Sequence, residues 1–199
     1  MQTNRTPQDI RQHILEVAQQ LIGCKGFSAV GLNEILKAAE VPKGSFYHYF
    51  ASKEVFGAAM LEDYFMHYLE RMDNIMARKE WTAKENLLQY WQGWLEPLGD
   101  GAFCGQKCLV VKLGAEVSDL SVAMRLVLEN GTKNIIMRLA AVVESVADEG
   151  GLECAAEETF PLSEMLYQTW LGASLMAKIT QSSAPLQSAM TTTKRLLNA

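Results

Sequence analysis

The apolar residues of this chain recur at intervals of three and four along most of its length, and no stretch alternates apolar and polar residues as a strand would. That period restricts the fold to helices packed on helices. The first helix is marked at both ends. Thr6 can cap it, Pro7 fits the first helical position, and Asp9 stands where a capping box places its acid. Ile10, Ile14, Val17, Ala18, Leu21 and Ile22 then form one stripe, and Gly26 is a natural stop. A short second helix is predicted from about Leu32 to Ala39, a tight turn at Glu40-Val41, and a third helix opened by Pro42. In that third helix Phe46, Tyr49 and Phe50 share a face, and Ser52 caps a long fourth helix running to about Lys79.

The pattern stays helical beyond that point. TAKENLLQYWQGWLEP, residues 82–97, is amphipathic, and the bend GDGAFCGQ precedes a short helix near Cys108–Val117. Asp119 is expected to cap a long helix ending near Asp148, stopped by Gly150-Gly151. A very apolar helix from about Phe160 to Thr180 follows, and Pro185 introduces a last one. The expected fold class is all-α.

With 199 residues, 49% of them hydrophobic, the chain suits one large domain or two small ones. No run approaches the length of a membrane span, and MQTNRTPQDIRQ lacks the apolar centre of a signal peptide. A cytoplasmic location is therefore expected, and with it four cysteines held as thiols. The net charge of −5 is uneven: residues 1–57 carry six Lys/Arg against five Asp/Glu, which leaves twelve against eighteen for the rest. An acidic body with a slightly basic first quarter permits an anion-binding module there.

Residues 41–54, VPKGSFYHYFASKE, give that module content. Two short helices joined by a tight turn and buttressed by a first make a helix-turn-helix, whose second helix enters the major groove of DNA. Gly44 lets backbone come close to DNA, while Lys43, Ser45, Tyr47 and His48 offer donors to phosphates and bases. Phe46 and Phe50 anchor the helix to the core, and Lys53, in the first turn of the fourth helix, lies beside amides that also favour a phosphate.

Residues 10–57, above all GSFYHYFASKEVF with the preceding GFSAVGLNEILKAAEV, resemble the DNA-binding domain of the TetR family of transcriptional repressors. The resemblance implies DNA contacts from Asn33, Lys43, Gly44, Ser45, Tyr47, His48, Tyr49 and Lys53. Gly31 departs from the pattern, standing where the family usually has a capping Thr or Ser. It also implies a helix-turn-helix domain over residues 1–52 and a helical effector-sensing and dimerisation domain over 53–199. Two such chains would form a homodimer on double-stranded, palindromic operator DNA. Helices near 120–148 and 160–180 would supply the dimer interface, with Leu126, Val127, Ile135, Ile136, Leu139, Val142, Val143, Leu166, Trp170, Leu171 and Leu175 as the apolar surplus.

The cysteines are Cys24, Cys104, Cys108 and Cys154. Cys104-x3-Cys108 lacks zinc spacing, and His13, His48 and His67 lie far away in sequence, so neither metal nor cofactor is expected. Cys108 precedes a helix and follows Lys107, with Lys112 one turn on; the helix dipole and these cations favour a thiolate. Lys178 is the one charged residue between Glu164 and Lys194, in a helix that reads as buried, and needs a partner that a thiolate can provide. CLVVKLGAEVSDLS and WLGASLMAKI resemble the NemR-type subgroup of the TetR family, which regulates electrophile- and aldehyde-detoxifying reductases. That resemblance implies Cys108 as the sensing thiol, Lys178 as its electrostatic partner and a small electrophile as inducer. Cys104 is a candidate resolving thiol. The alternative is a non-covalent inducer, for example an acrylate-like acid, in a pocket lined by Tyr90, Trp91, Trp94, Phe103, Tyr167 and Trp170, rings that otherwise read as core. An enzyme using Cys108 as nucleophile would lack a nearby His base, so no catalytic residue is expected.

Overall fold

The computed structural model describes residues 6–96, 108–153 and 155–197, and among these the regular structure is helical. The helices are α1 (Pro7–Lys25), α2 (Leu32–Ala38), α3 (Lys43–Tyr49), α4 (Lys53–Met76), α5 (Ala83–Leu95), α6 (Leu109–Leu120), α7 (Val122–Asp148), α8 (Ala156–Thr180) and α9 (Ala184–Leu196). Their ends follow local chemistry. At the start of α1, Thr6 Oγ1 accepts from the Asp9 amide at 3.2 Å and Asp9 returns the bond to the Thr6 amide at 2.8 Å. Thr82 and Glu85 repeat this box on α5. Ser52 Oγ accepts from the Val55 amide at 3.1 Å, as its place before α4 predicts.

One expected cap moves. Asp119 lies inside the last turn of α6, and Ser121 caps α7 by accepting from the Met124 amide at 3.3 Å. The break between the two helices thus falls at Ser121, whose backbone is extended, rather than between Val117 and Asp119 as expected. Helix α4 also ends short of Lys79, where Asn86 Nδ2 donates to the carbonyls of Met76 (3.3 Å) and Arg78 (3.0 Å).

The chain divides into two compact units, Met1–Met66 with Cys104–Gly131 and His67–Phe103 with Thr132–Ala199. In the first, Ile14, Leu15, Ala18 and Ile22 of α1 are buried together with Ile35 and Leu36 of α2 and Phe46 of α3. The rings of Phe46, Phe50 and Phe56 meet at 5.0–5.4 Å between centroids. Asp63 of α4, buried, accepts from Gln12 Nε2 at 3.0 Å and Gln19 Nε2 at 2.7 Å, so a charge inside the unit has donors on α1. Leu109, Leu113 and Val117 form the buried stripe of α6.

In the second unit, the Trp91 and Trp170 rings stack 4.7 Å apart at 8°, joining α5 to α8. Trp170 Nε1 donates to Thr193 Oγ1 of α9 at 3.0 Å. Arg138 of α7 holds Asp73 of α4 through two nitrogens, at 2.6 and 3.1 Å. The expected dimer surplus needs correction here. Ile135, Ile136, Leu139, Val143, Leu166 and Trp170 are buried within the chain itself. Of the expected set Leu126 and Leu175 are exposed, and Val122, Met137, Phe160, Met165, Met176 and Ile179 of α7 and α8 are exposed as well. Helix α8 is thus not buried all round, as its composition suggests, and Met165, Gly172, Met176 and Ile179 stand on one solvent-facing stripe. Among the described residues no helix is long and apolar enough to cross a membrane.

Candidate nucleic-acid interface and sensor site

The turn between α2 and α3 is fixed by backbone. The Val41 amide reaches back to the Leu36 carbonyl at 3.0 Å and the Glu40 amide to Lys37 at 3.3 Å. This Schellman closure puts Glu40 at φ 55, where glycine is usual, and Pro42 then starts α3. The helix buries Phe46 (0% exposed) and sets its neighbour Tyr47 62% exposed. Lys43, Gly44 and His48 are exposed as well, while Ser45 and Tyr49 are half-buried. Around Gly44 the space is open. Asn33 lies exposed in the first turn of α2, whose N-cap Gly31 provides no side-chain bond.

Lys53 is half-buried. Its ammonium donates to the carbonyls of Phe27 (3.1 Å) and Val30 (2.9 Å) and stands 4.7 Å from the centre of the Phe27 ring. Two of its three N–H bonds therefore hold the α1–α2 loop, which leaves one for another acceptor. From the other side, Glu116 of α6 accepts from the amides of Phe27 (3.1 Å) and Ser28 (2.6 Å). Partial burial works against ionisation of this carboxyl, but hydrogen bonds from Ser28 and Phe27, with Lys112 nearby, outweigh it and hold the group below its ordinary range. Gly26, which ends α1 at φ 96, also faces this carboxylate: a Cβ there would sit 3.1 Å from Glu116 Oε2.

Cys108 is reduced, buried and N-terminal to α6, its carbonyl accepting from the Lys112 amide at 3.2 Å. The next amide, Leu109, donates to the Tyr64 hydroxyl at 3.4 Å. Lys178 is half-buried in the last turn of α8. Cys24, expected as a thiol, is disulfide-bonded. It lies in the exposed last turn of α1, and which other cysteine the fold brings there is invisible in spacing. Cys104 and Phe103 lie outside the described residues, as does Cys154. Of the remaining candidate pocket rings, Trp94 lies 5.7 Å from Trp91 and 6.0 Å from Trp170, and Tyr90 lies 4.6 Å from Trp91. Tyr68 and Tyr90 share a hydroxyl contact of 2.6 Å, and Tyr167 is buried on α8. Among the described residues, the buried Trp91 Nε1 has no hydrogen-bond partner.

Sequence reasoning passed over Glu116 and Tyr64. Glu116 reads as a solvated helix residue because its partners lie 88 and 89 positions away. Its only local signal is an acid set directly between alanine and valine in KLGAEVSDL.

Residues 14–60 match the sequence model of the bacterial regulatory proteins of the tetR family. Over 195 residues the chain is 41% identical to the HTH-type transcriptional repressor NemR of Escherichia coli K12, covering 96% of each protein. It is 33% identical to the transcriptional regulator AcuR of Cereibacter sphaeroides, over 89% of this chain and 80% of that one. The crystal structure of the reduced form of E. coli NemR superposes with a TM-score of 0.89, covering 95% of this chain and 97% of the other.

Proposed function

Because the chain belongs to the TetR family and is a transcriptional repressor rather than an enzyme, we propose that it leaves its operator when an electrophile or oxidant modifies Cys108. Helix α3 lies in the major groove, where Tyr47 and His48 reach base edges and Lys43 and Ser45 reach phosphates. Gly44 admits the backbone, Asn33 and Tyr49 contact DNA beside them, and the spare N–H of Lys53 meets a phosphate. The observation that carries the DNA-binding half is the contrast across α3, with Phe46 fully buried and Tyr47 62% exposed. Two chains pair through the stripe of Met165, Gly172, Met176 and Ile179 on α8, an apolar surface that a lone chain leaves in water. The protein works in the cytoplasm.

For sensing, the position of the reduced Cys108 at the start of α6 supports a reactive thiolate. Attack on an α,β-unsaturated carbonyl forms a carbon–sulfur bond at the β-carbon, breaks the carbon–carbon π bond, and places a solvent proton on the α-carbon. The added bulk falls where the side chain is already buried, so it favours a second conformation. About 5.5 kcal/mol of such preference moves a two-state equilibrium from 1:99 to 99:1. A gel shift with Cys108→Ser tests this: the variant binds operator and keeps it after electrophile treatment, and release like wild type would rule the thiol out.

A second reading has its own support. The buried Trp91 N–H, unpaired among the described residues and beside the Trp94 and Trp170 rings, is a donor available to a non-covalent inducer with an acceptor atom. Intact mass after inducer treatment separates the two, since only the first adds mass.

A further inference from the structure

We propose that Glu116 is a positioning residue that ties α6 to the DNA-reading head through the amides of Phe27 and Ser28, and that operator binding depends on this tie. The inference rests on the reading above for what displaces α6. The carboxylate is no cap for α1, whose last carbonyls need donors, one of which the Gly26 amide supplies to the Ile22 carbonyl at 2.8 Å. Glu116 instead engages the next two amides, both beyond the helix, with one oxygen each. The loop they belong to is held on its carbonyl side by Lys53, the first residue of α4. Lys53 follows Tyr49, the end of the reading helix, by four residues.

A continuous path therefore runs from Cys108 along α6 to Glu116, across the Phe27–Ser28 peptide to Lys53, and into the end of α3. Along α6, the eight residue steps from Cys108 to Glu116 span about 12 Å of stiff helix. Leu109 packs 3.4 Å from the Cβ position of Gly23, so the start of α6 also bears on α1. A shift of α6 that moves the carboxylate by an ångström or so removes two charge-assisted bonds at once, because such bonds need donor–acceptor distances below about 3.2 Å.

The test uses the full-length protein with N-ethylmaleimide as electrophile. Glu116→Gln keeps the side chain's length and one carbonyl oxygen but presents an NH₂ to the other amide donor. In the unmodified variant, hydrogen exchange at Phe27 and Ser28 quickens and operator affinity falls about tenfold, the equivalent of one lost charge-assisted bond. After maleimide treatment, wild type loses operator affinity by a further large factor, while the variant stays within about threefold of its unmodified value. Intact mass shows equal modification of both proteins. Asp119→Asn, which removes the same charge from the exposed side of the same helix, behaves as wild type. Glu116→Asp, a methylene short of the loop, repeats the pattern more weakly and decides the matter if Glu116→Gln does not fold. Wild-type operator affinity in unmodified Glu116→Gln, or an undiminished response to maleimide, overturns the inference. Should wild type itself keep its operator when fully modified, the sensing reading fails, and the tie is still judged by affinity and exchange in the unmodified proteins.

Discussion

Phe46 and Tyr47 are adjacent aromatic residues whose truncation has opposite consequences. Phe46 is fully buried, its ring 5.2 Å from Phe50 and 5.4 Å from Phe56, so Phe46→Ala opens a cavity between α3 and α4. Such a change costs about 3–5 kcal/mol. Tyr47 is 62% exposed and touches Phe46 edge-on at 5.5 Å. Losing that partial contact costs below about 1 kcal/mol, offset in part because Ala favours helix more than Tyr does. On DNA the order reverses. A base or phosphate contact worth about 1 kcal/mol, lost from each of two heads, lowers operator affinity about thirtyfold. Urea unfolding followed by far-ultraviolet circular dichroism, with operator titration at fixed salt, measures both. The tryptophans at 81, 91, 94 and 170 lie outside the head, so their fluorescence is the wrong probe. Tyr47→Ala unfolding as early as Phe46→Ala, or binding operator like wild type, would refute the orientation of α3 on which the DNA-binding argument rests.

Other outcomes follow from the same geometry. Gly26→Ala forces a side chain onto φ 96 beside Glu116 and destabilises the protein by about 1–3 kcal/mol, read as a lowered urea midpoint with unchanged slope. Thr193→Val keeps the shape but leaves the Trp170 N–H without its acceptor, and costs about 1–3 kcal/mol in the same assay. Because the Glu116 carboxyl is held below its ordinary value of 4.5, its contribution is complete above that value and is lost as pH falls through the lower folded-state value. The midpoint difference between wild type and Glu116→Gln is therefore constant near neutrality and shrinks in acid below about pH 4.5.

Much of this fold could be read from the chain because its signals are local. Thr6 with Asp9, Ser52 before α4 and Gly26 after α1 act within a few residues of themselves, and the structure has them in those roles. The exposed and buried sides of α3 were legible for the same reason, since helical period alone separates Tyr47 from Phe46. What failed depends on partners distant in sequence. An apolar period tells that Ile135 or Leu139 is covered but not by what, and the covering proved to be the chain itself rather than a second copy. Glu116 finds its amides 88 and 89 residues away, and Cys24 its disulfide, through packing that no spacing encodes. The break between α6 and α7 was legible, but its cap was misplaced by two residues, because Asp119 and Ser121 can both accept from a following amide and local sequence does not choose between them.

The most direct measurement follows operator release and Cys108 modification together. Protein treated with increasing N-ethylmaleimide is assayed by peptide mass mapping and, in parallel, by gel shift on its operator. The account predicts that bound fraction falls in step with the fraction of Cys108 modified, and that Cys108→Ser stays bound throughout. Full modification of Cys108 with the operator still held, or release that tracks a different cysteine, would contradict it.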